Sequence, residues 1–160
     1  MIKEKELSPV NQIRFRDGDG VTLEAIQESL ADKADSFAIP VAFRNDQVKY
    51  GGLIGGSVDD CLILYHPEHV RDYYYYVLKV TRQGRYAFLD VSKCGRSSQL
   101  GKEASAQEAK ELLGSGGLSS YGKGYAVGAL IGSIGKNKKK IEEERNWYTM
   151  VNDIFDDVVG

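Results

Sequence analysis

Residues 61–95 read CLILYHPEHVRDYYYYVLKVTRQGRYAFLDVSKCG, three runs of strand-forming residues separated by one loop and one tight turn. β-Branched and aromatic side chains pack well on a pleated surface, so this stretch predicts an antiparallel sheet. Placing Gln83 and Gly84 in the turn sets Arg82 opposite Arg85, Leu78 opposite Leu89 and Cys94 opposite Tyr73. Because side chains alternate along a strand, one face then carries Tyr74, Tyr76, Leu78 and Val80 with Ala87, Leu89 and Val91. That face is the expected core. The other carries Tyr73, Tyr75, Val77, Lys79, Tyr86, Phe88 and Asp90 and is mixed.

Upstream, YGGLIGGSVDD (50–60) reads as a glycine-rich connection. SFAIPVAF (36–43) reads as a strand through Phe37, Ile39 and Val41, placed at an edge because Pro40 has no N–H to donate. VTLEAIQESLADKAD (21–35) spaces Leu23, Ile26 and Leu30 as a helix does, with Thr22 as its cap, and predicts a helix over 22–34. NQIRFRDGDG (11–20) is a short strand through Ile13 and Phe15 ending in a turn. Asp17, Asp19 and Glu24 do not have the spacing of a calcium loop. Residues 1–9 alternate lysine and glutamate and are expected to fray.

Downstream, Ser105 and Glu108 form a capping box ahead of AQEAKELL, and Gly114 is placed to end that helix. GLSSYGKGYAVGALIGSIGKNKKK (117–140) follows. Its first seven residues fit a phosphate-binding loop, but Gly124 replaces the magnesium-binding hydroxyl and a helix stands where a strand should precede. Gly124, Gly128 and Gly132 repeat at spacing four and would share one side of a helix, where a second backbone can approach. Each costs about 1 kcal/mol relative to alanine, a loss that close packing must offset. The chain then shows a broad apolar stripe at helical spacing, through Ile141, Trp147, Tyr148, Val151, Ile154, Phe155 and Val158.

These readings give an α+β domain over 1–160: an antiparallel sheet centred on a hairpin in about 60–93, one N-terminal helix and a helical C-terminal third, 114–160. With 42% hydrophobic and 28% charged residues and a formal charge of −2, composition singles out neither nucleic acid nor lipid. No secretory signal pattern opens the chain, and Cys61 and Cys94 suggest no disulfide framework, so a cytoplasmic protein is expected.

The function expected is a non-catalytic binding or scaffolding module without a cofactor. It would act through a glycine-faced helical hairpin in which Gly124, Gly128 and Gly132 meet Trp147, Val151 and Phe155, with a protein partner or a second copy as ligand. One alternative is single-stranded nucleic acid, stacked on Tyr73, Tyr75, Tyr86 and Phe88 beside Arg82 and Arg85, since residues 71–102 hold seven basic and two acidic side chains. Another is peripheral association of 118–140 with a membrane surface, the apolar run 125–134 being half of what a span needs. His66, His69 and Cys94 are the best available metal ligands, at a spacing that fits no common zinc site.

Overall fold

The structure is a computed structural model describing residues 1–52, 54–98, 100 and 120–158, with side chains excluded for 120–137. In chain order the elements are β1 (Ile2–Lys3), a 3-10 turn (Glu4–Glu6), β2 (Ser8–Phe15), α1 (Leu23–Ser36), β3 (Ala42–Tyr50), β4 (Ser57–Tyr65), β5 (Tyr75–Gln83), β6 (Tyr86–Cys94) and α2 (Ser120–Asp157). The expected helix over 105–114 lies outside the described residues. The fold is mixed α+β, with one six-stranded sheet in the order β1-β3-β4-β5-β6-β2. Neighbouring strands are antiparallel except β1 and β3, which run parallel.

The hairpin β5–β6 keeps the expected faces in a different register. Gln83 pairs with Tyr86, so the turn is Gly84–Arg85, Leu78 faces Val91, and Cys94 faces Tyr75. Gly84 has φ of +59°, and a two-residue turn with glycine in its first central position suits the twist of the strands. Sliding by two positions preserves which side chains share a face.

Three other expectations are corrected. Residues 1–9 are not frayed: Ile2 is buried and pairs with Val48. The strand placed over 36–43 begins only at Ala42 and continues to Tyr50, because Phe37 and Ala38 are used in ending α1. The C-terminal third is not a hairpin of helices, since the backbone from Ser120 to Asp157 is one continuous helix of 38 residues. The first helix runs Leu23–Ser36, with the Thr22 hydroxyl accepting from Ala25 N at 3.1 Å.

Both helices cover one face of the sheet. Ile26, Leu30 and Ala34 from α1 and Trp147, Val151, Ile154 and Phe155 from α2 enclose Leu62, Leu64, Tyr76, Leu78, Leu89 and Val91. Removing one such large side chain from water contributes about 1.5–3 kcal/mol. The Trp147 indole N–H, which would otherwise be stranded there, donates to Pro40 O at 2.8 Å.

The sheet cannot be flat. Five strand spacings at about 4.8 Å separate β1 from β2 by roughly 24 Å, whereas the five residue steps from Lys3 to Ser8 reach at most about 18 Å. The sheet therefore curls until its two edges can be joined by one turn of chain. Leu7 lies across the concave side, where it packs with the second apolar cluster of Ile2, Val48, Cys61, Ile63, Val77 and Cys94.

Candidate partner-binding groove

The groove originates in how α1 stops. Ala38 N donates to Asp35 O at 3.1 Å and Ile39 N donates to Ala34 O at 2.8 Å, the paired bonds of a Schellman ending. Such an ending needs a left-handed residue, and Ala38 supplies it at φ +53°. The sharp change of direction turns Ile39 into the core at 7% exposure and leaves Phe37 on the surface at 67%. Sequence reasoning had placed both on one strand.

Beside this ending run the last turns of α2. Val151, Ile154 and Phe155 face the core, while Met150, Asp153, Asp156 and Asp157 remain exposed. Between the two helix ends lies a groove of about 510 Å³, with Phe37, Ile39, Met150 and Ile154 as its apolar surface and Asp153, Asp156 and Asp157 on its rim.

Its electrostatics share one sign. Two helix C-termini end here, each contributing a partial negative charge, and α1 adds the exposed Asp32 and Asp35 against Lys33 alone. The last turn of α2 has no basic residue. Asp156 accepts from Asn11 Nδ2 at 3.3 Å. Asp153 and Asp157 have neither hydrogen bond nor ion pair among the described residues. Aspartates at a helix C-terminus oppose its dipole, so their concentration around an apolar groove costs stability and requires another reason. The acidic ending FDD (155–157) was the signal available in the sequence.

The concave sheet face forms a second cleft of about 450 Å³, lined by Val48, Val77 and Leu7 with Tyr50, Lys79 and Asp90. Its polar groups already satisfy one another. Lys79 Nζ donates to Tyr50 OH at 2.5 Å and lies 3.6 Å from Asp59. Asp90 accepts from Gln12 at 2.7 Å and Thr81 at 3.2 Å. Burial disfavours the Lys79 ammonium, but the Tyr50 hydroxyl, Asp59 and Asp90 outweigh it and raise its pKa. A ligand would have to displace these bonds, whereas the groove offers uncompensated charge.

The residues expected to form sites are placed as follows. Trp147, Val151 and Phe155 are core residues against the sheet and cannot face a glycine helix. Gly124, Gly128 and Gly132 lie within α2, in the part whose surroundings are outside the description. The aromatic platform is divided. Tyr73 is buried on the helix side at 6% exposure, and Tyr75 packs against the concave-side cluster with the Arg44 guanidinium 5.6 Å above its ring. Tyr86 and Phe88 do stack, at 6.2 Å. Arg82 is committed to the carbonyls of Gly18 and Val21, which leaves Arg85 at the turn without it.

His66, His69 and Cys94 do not converge. The two histidine rings are 4.6 Å apart, but Cys94 belongs to the opposite face of the sheet. His66 Nδ1 accepts from Glu68 N, and His69 Nδ1 is 3.0 Å from Asp72. Among the described residues no group of three potential ligands could hold a metal, and no helix is long and apolar enough to cross a membrane. Compared with protein-family models, with curated proteins and with solved structures, the chain finds no match in any of the three.

Proposed function

We propose that the protein is a self-associating binding module in which the basic part of α2 in one copy docks into the acidic groove of a second copy. The observation that carries this reading is the groove between Phe37 and Met150, rimmed by Asp153, Asp156 and Asp157. It calls for a segment that is apolar on one side and cationic on the other. The chain contains one: ALIGSI (129–134) followed by Lys136, Lys138, Lys139 and Lys140, of which the last three are exposed. The glycines at 124, 128 and 132 suit the same contact, since a helix without side chains on one side can lie close to another surface. Donor and acceptor surfaces differ, so the association is head-to-tail and forms a ring or an open chain according to its rotation.

Charge exchange tests this directly. Sedimentation of the full chain should show association that weakens with salt, as expected when charges at a surface are screened over about 8 Å at physiological ionic strength. Replacing Lys138, Lys139 and Lys140 by Glu should give a monomer, as should replacing Asp153 and Asp157 by Lys. Mixing the two variants should restore association, because the unaltered lysines of one meet the unaltered aspartates of the other. A monomeric wild type, or association indifferent to both replacements, would refute the proposal.

A further inference from the structure

The loop between β4 and β5, residues 66–74, is closed by a histidine used as a hydrogen-bond acceptor. His66 Nδ1 accepts from Glu68 N at 3.1 Å, and His66 O accepts from His69 N at 3.1 Å, so one residue fastens the turn over Pro67 and Glu68 twice. A side chain that bonds the backbone two residues on is the arrangement of an Asx turn, for which asparagine and aspartate are the usual residues. Histidine can make it only while Nδ1 carries no proton, which requires the neutral ring.

The same ring seats the loop on α2. His66 is 8% exposed, and its ring centroid lies 5.3 Å from that of Trp147, 5.3 Å from that of Tyr73 and 4.6 Å from that of His69. Further along, Tyr73 N donates to His69 O at 3.3 Å and Tyr74 N donates to Tyr148 OH at 2.9 Å. The charged groups acting on His66 are His69, Glu68 and Asp72, all of them on the loop. His69 faces Asp72 at 3.0 Å and stacks on Tyr73 at 3.9 Å, and Glu144 of α2 acts on His69 and Tyr73. A proton on His69 is met by Asp72 and leaves the turn intact, so the two neighbouring histidines do not act alike.

We propose that the β4–β5 loop is an acid-operated closure with His66 as its sensor: the neutral ring holds the loop on α2, and protonation of that ring releases it. The imidazolium carries a proton on both nitrogens, so Nδ1 would set an N–H against the Glu68 N–H and the turn would lose its side-chain bond. A charge in so enclosed a place also costs free energy that water would relieve. One side must yield to admit that water. The helix is anchored by Trp147, Val151 and Phe155, all within 2% exposure, while the described backbone bonds from the loop to its surroundings are the single ones at Asp72 O and Tyr74 N, so the loop moves.

The direction of the effect follows from the same site. Burial lowers the His66 pKa below its ordinary value of 6.5, a charge on His69 adds to the lowering, and Glu68 and Asp72 oppose it. As pH falls below 6.5, the open loop therefore takes up a proton that the closed loop excludes. The advantage of the closed form is complete above pH 6.5 and is lost as pH falls toward the lowered value.

The test is a pH series by nuclear magnetic resonance on the labelled full chain, between about pH 4 and about pH 7.5. The His66 ring carbons should titrate below 6.5. Exchange protection of the Glu68 and Tyr74 amides, corrected for intrinsic rate, should fall with pH below 6.5 by up to about tenfold per pH unit, and by more than that of the core amides of β5 and β6. Emission from Trp147, the chain's one tryptophan, should shift to the red over the same interval as water reaches the ring. His66→Asn keeps an acceptor for Glu68 N and does not titrate, so it should retain protection near neutral pH and lose the pH dependence. His66→Phe should lower Glu68 protection at every pH. If His66 titrates at or above 6.5, if Glu68 and Tyr74 protection stays constant through its titration, or if His66→Asn keeps the wild-type pH dependence, the closure is overturned. The wild-type titration does not depend on any variant folding.

Discussion

Replacing Ala38 by glycine should stabilise this protein, although glycine inside a helix is ordinarily harmful. Ala38 is the one described non-glycine residue with positive φ, at +53°. In that region an L side chain is crowded by its own backbone at a cost of about 1–2 kcal/mol, which glycine avoids. Against this, glycine gains freedom in the unfolded chain, which lowers stability by about 0.4–1 kcal/mol. The difference favours glycine by about 0.5–1 kcal/mol. Both bonds of the helix ending, Ala38 N to Asp35 O and Ile39 N to Ala34 O, are made by backbone and survive the change. The melting temperature of a chain this size should rise by about 1–4 °C. Urea unfolding should show a higher midpoint with an unchanged slope, because the surface exposed on unfolding is the same. Ala38→Val should do the opposite, since a β-branched residue tolerates positive φ poorly. A loss of stability in Ala38→Gly would refute the strain argument, and with it the account of why Phe37 faces outward.

Asp157→Lys should stabilise the monomer by about 0.3–1 kcal/mol, because a cation suits the C-terminus of α2 where no basic residue now stands. The same change should weaken association in sedimentation, so a variant gaining both stability and association would contradict the functional reading of the acidic rim. Arg82→Met should cost about 1.5–3 kcal/mol in urea unfolding, since the guanidinium spans 64 positions of sequence to satisfy Gly18 O and also bonds Val21 O.

Which parts of this fold could be read in advance depended on whether the signal was local. The faces of β5 and β6 follow from alternation, and alternation survives a two-residue slip, so Leu78, Leu89 and Val91 were identified as core despite the wrong register. The register itself depended on which turn position Gly84 takes, a choice made by strand twist. The strand β3 was obscured because only Val48 on it is buried, and RNDQ in its centre reads as a loop. The apolar stripe of α2 was plain, but periodicity does not say what covers a stripe; the sheet does, and the proposed glycine partner is excluded from that surface. The groove was the least legible feature, because Phe37 fits an alternating pattern until Ala38 reverses the chain. Glu144 lies three residues from both Ile141 and Trp147, so helical spacing marked it as the buried acid of IEEERN, although the stripe was read from its apolar members alone.

The curl that brings β1 and β2, the opposite edges of one sheet, within one turn of chain also imposes an order of events during synthesis. Gln12 on β2 meets Asp90 on β6 across 78 positions of chain. At about 5–20 residues per second, β2 leaves the ribosome some 4–16 seconds before its partner exists. The hairpins of β3 to β6 can form as they emerge, because their contacts are close in sequence, whereas β1 waits for β3 and β2 must wait for β6, the last strand of the sheet. Pro9 and the irregular pairing around Val10 then have a second use: an edge that lacks a donor and bends is a poor template for a neighbouring nascent chain during that interval.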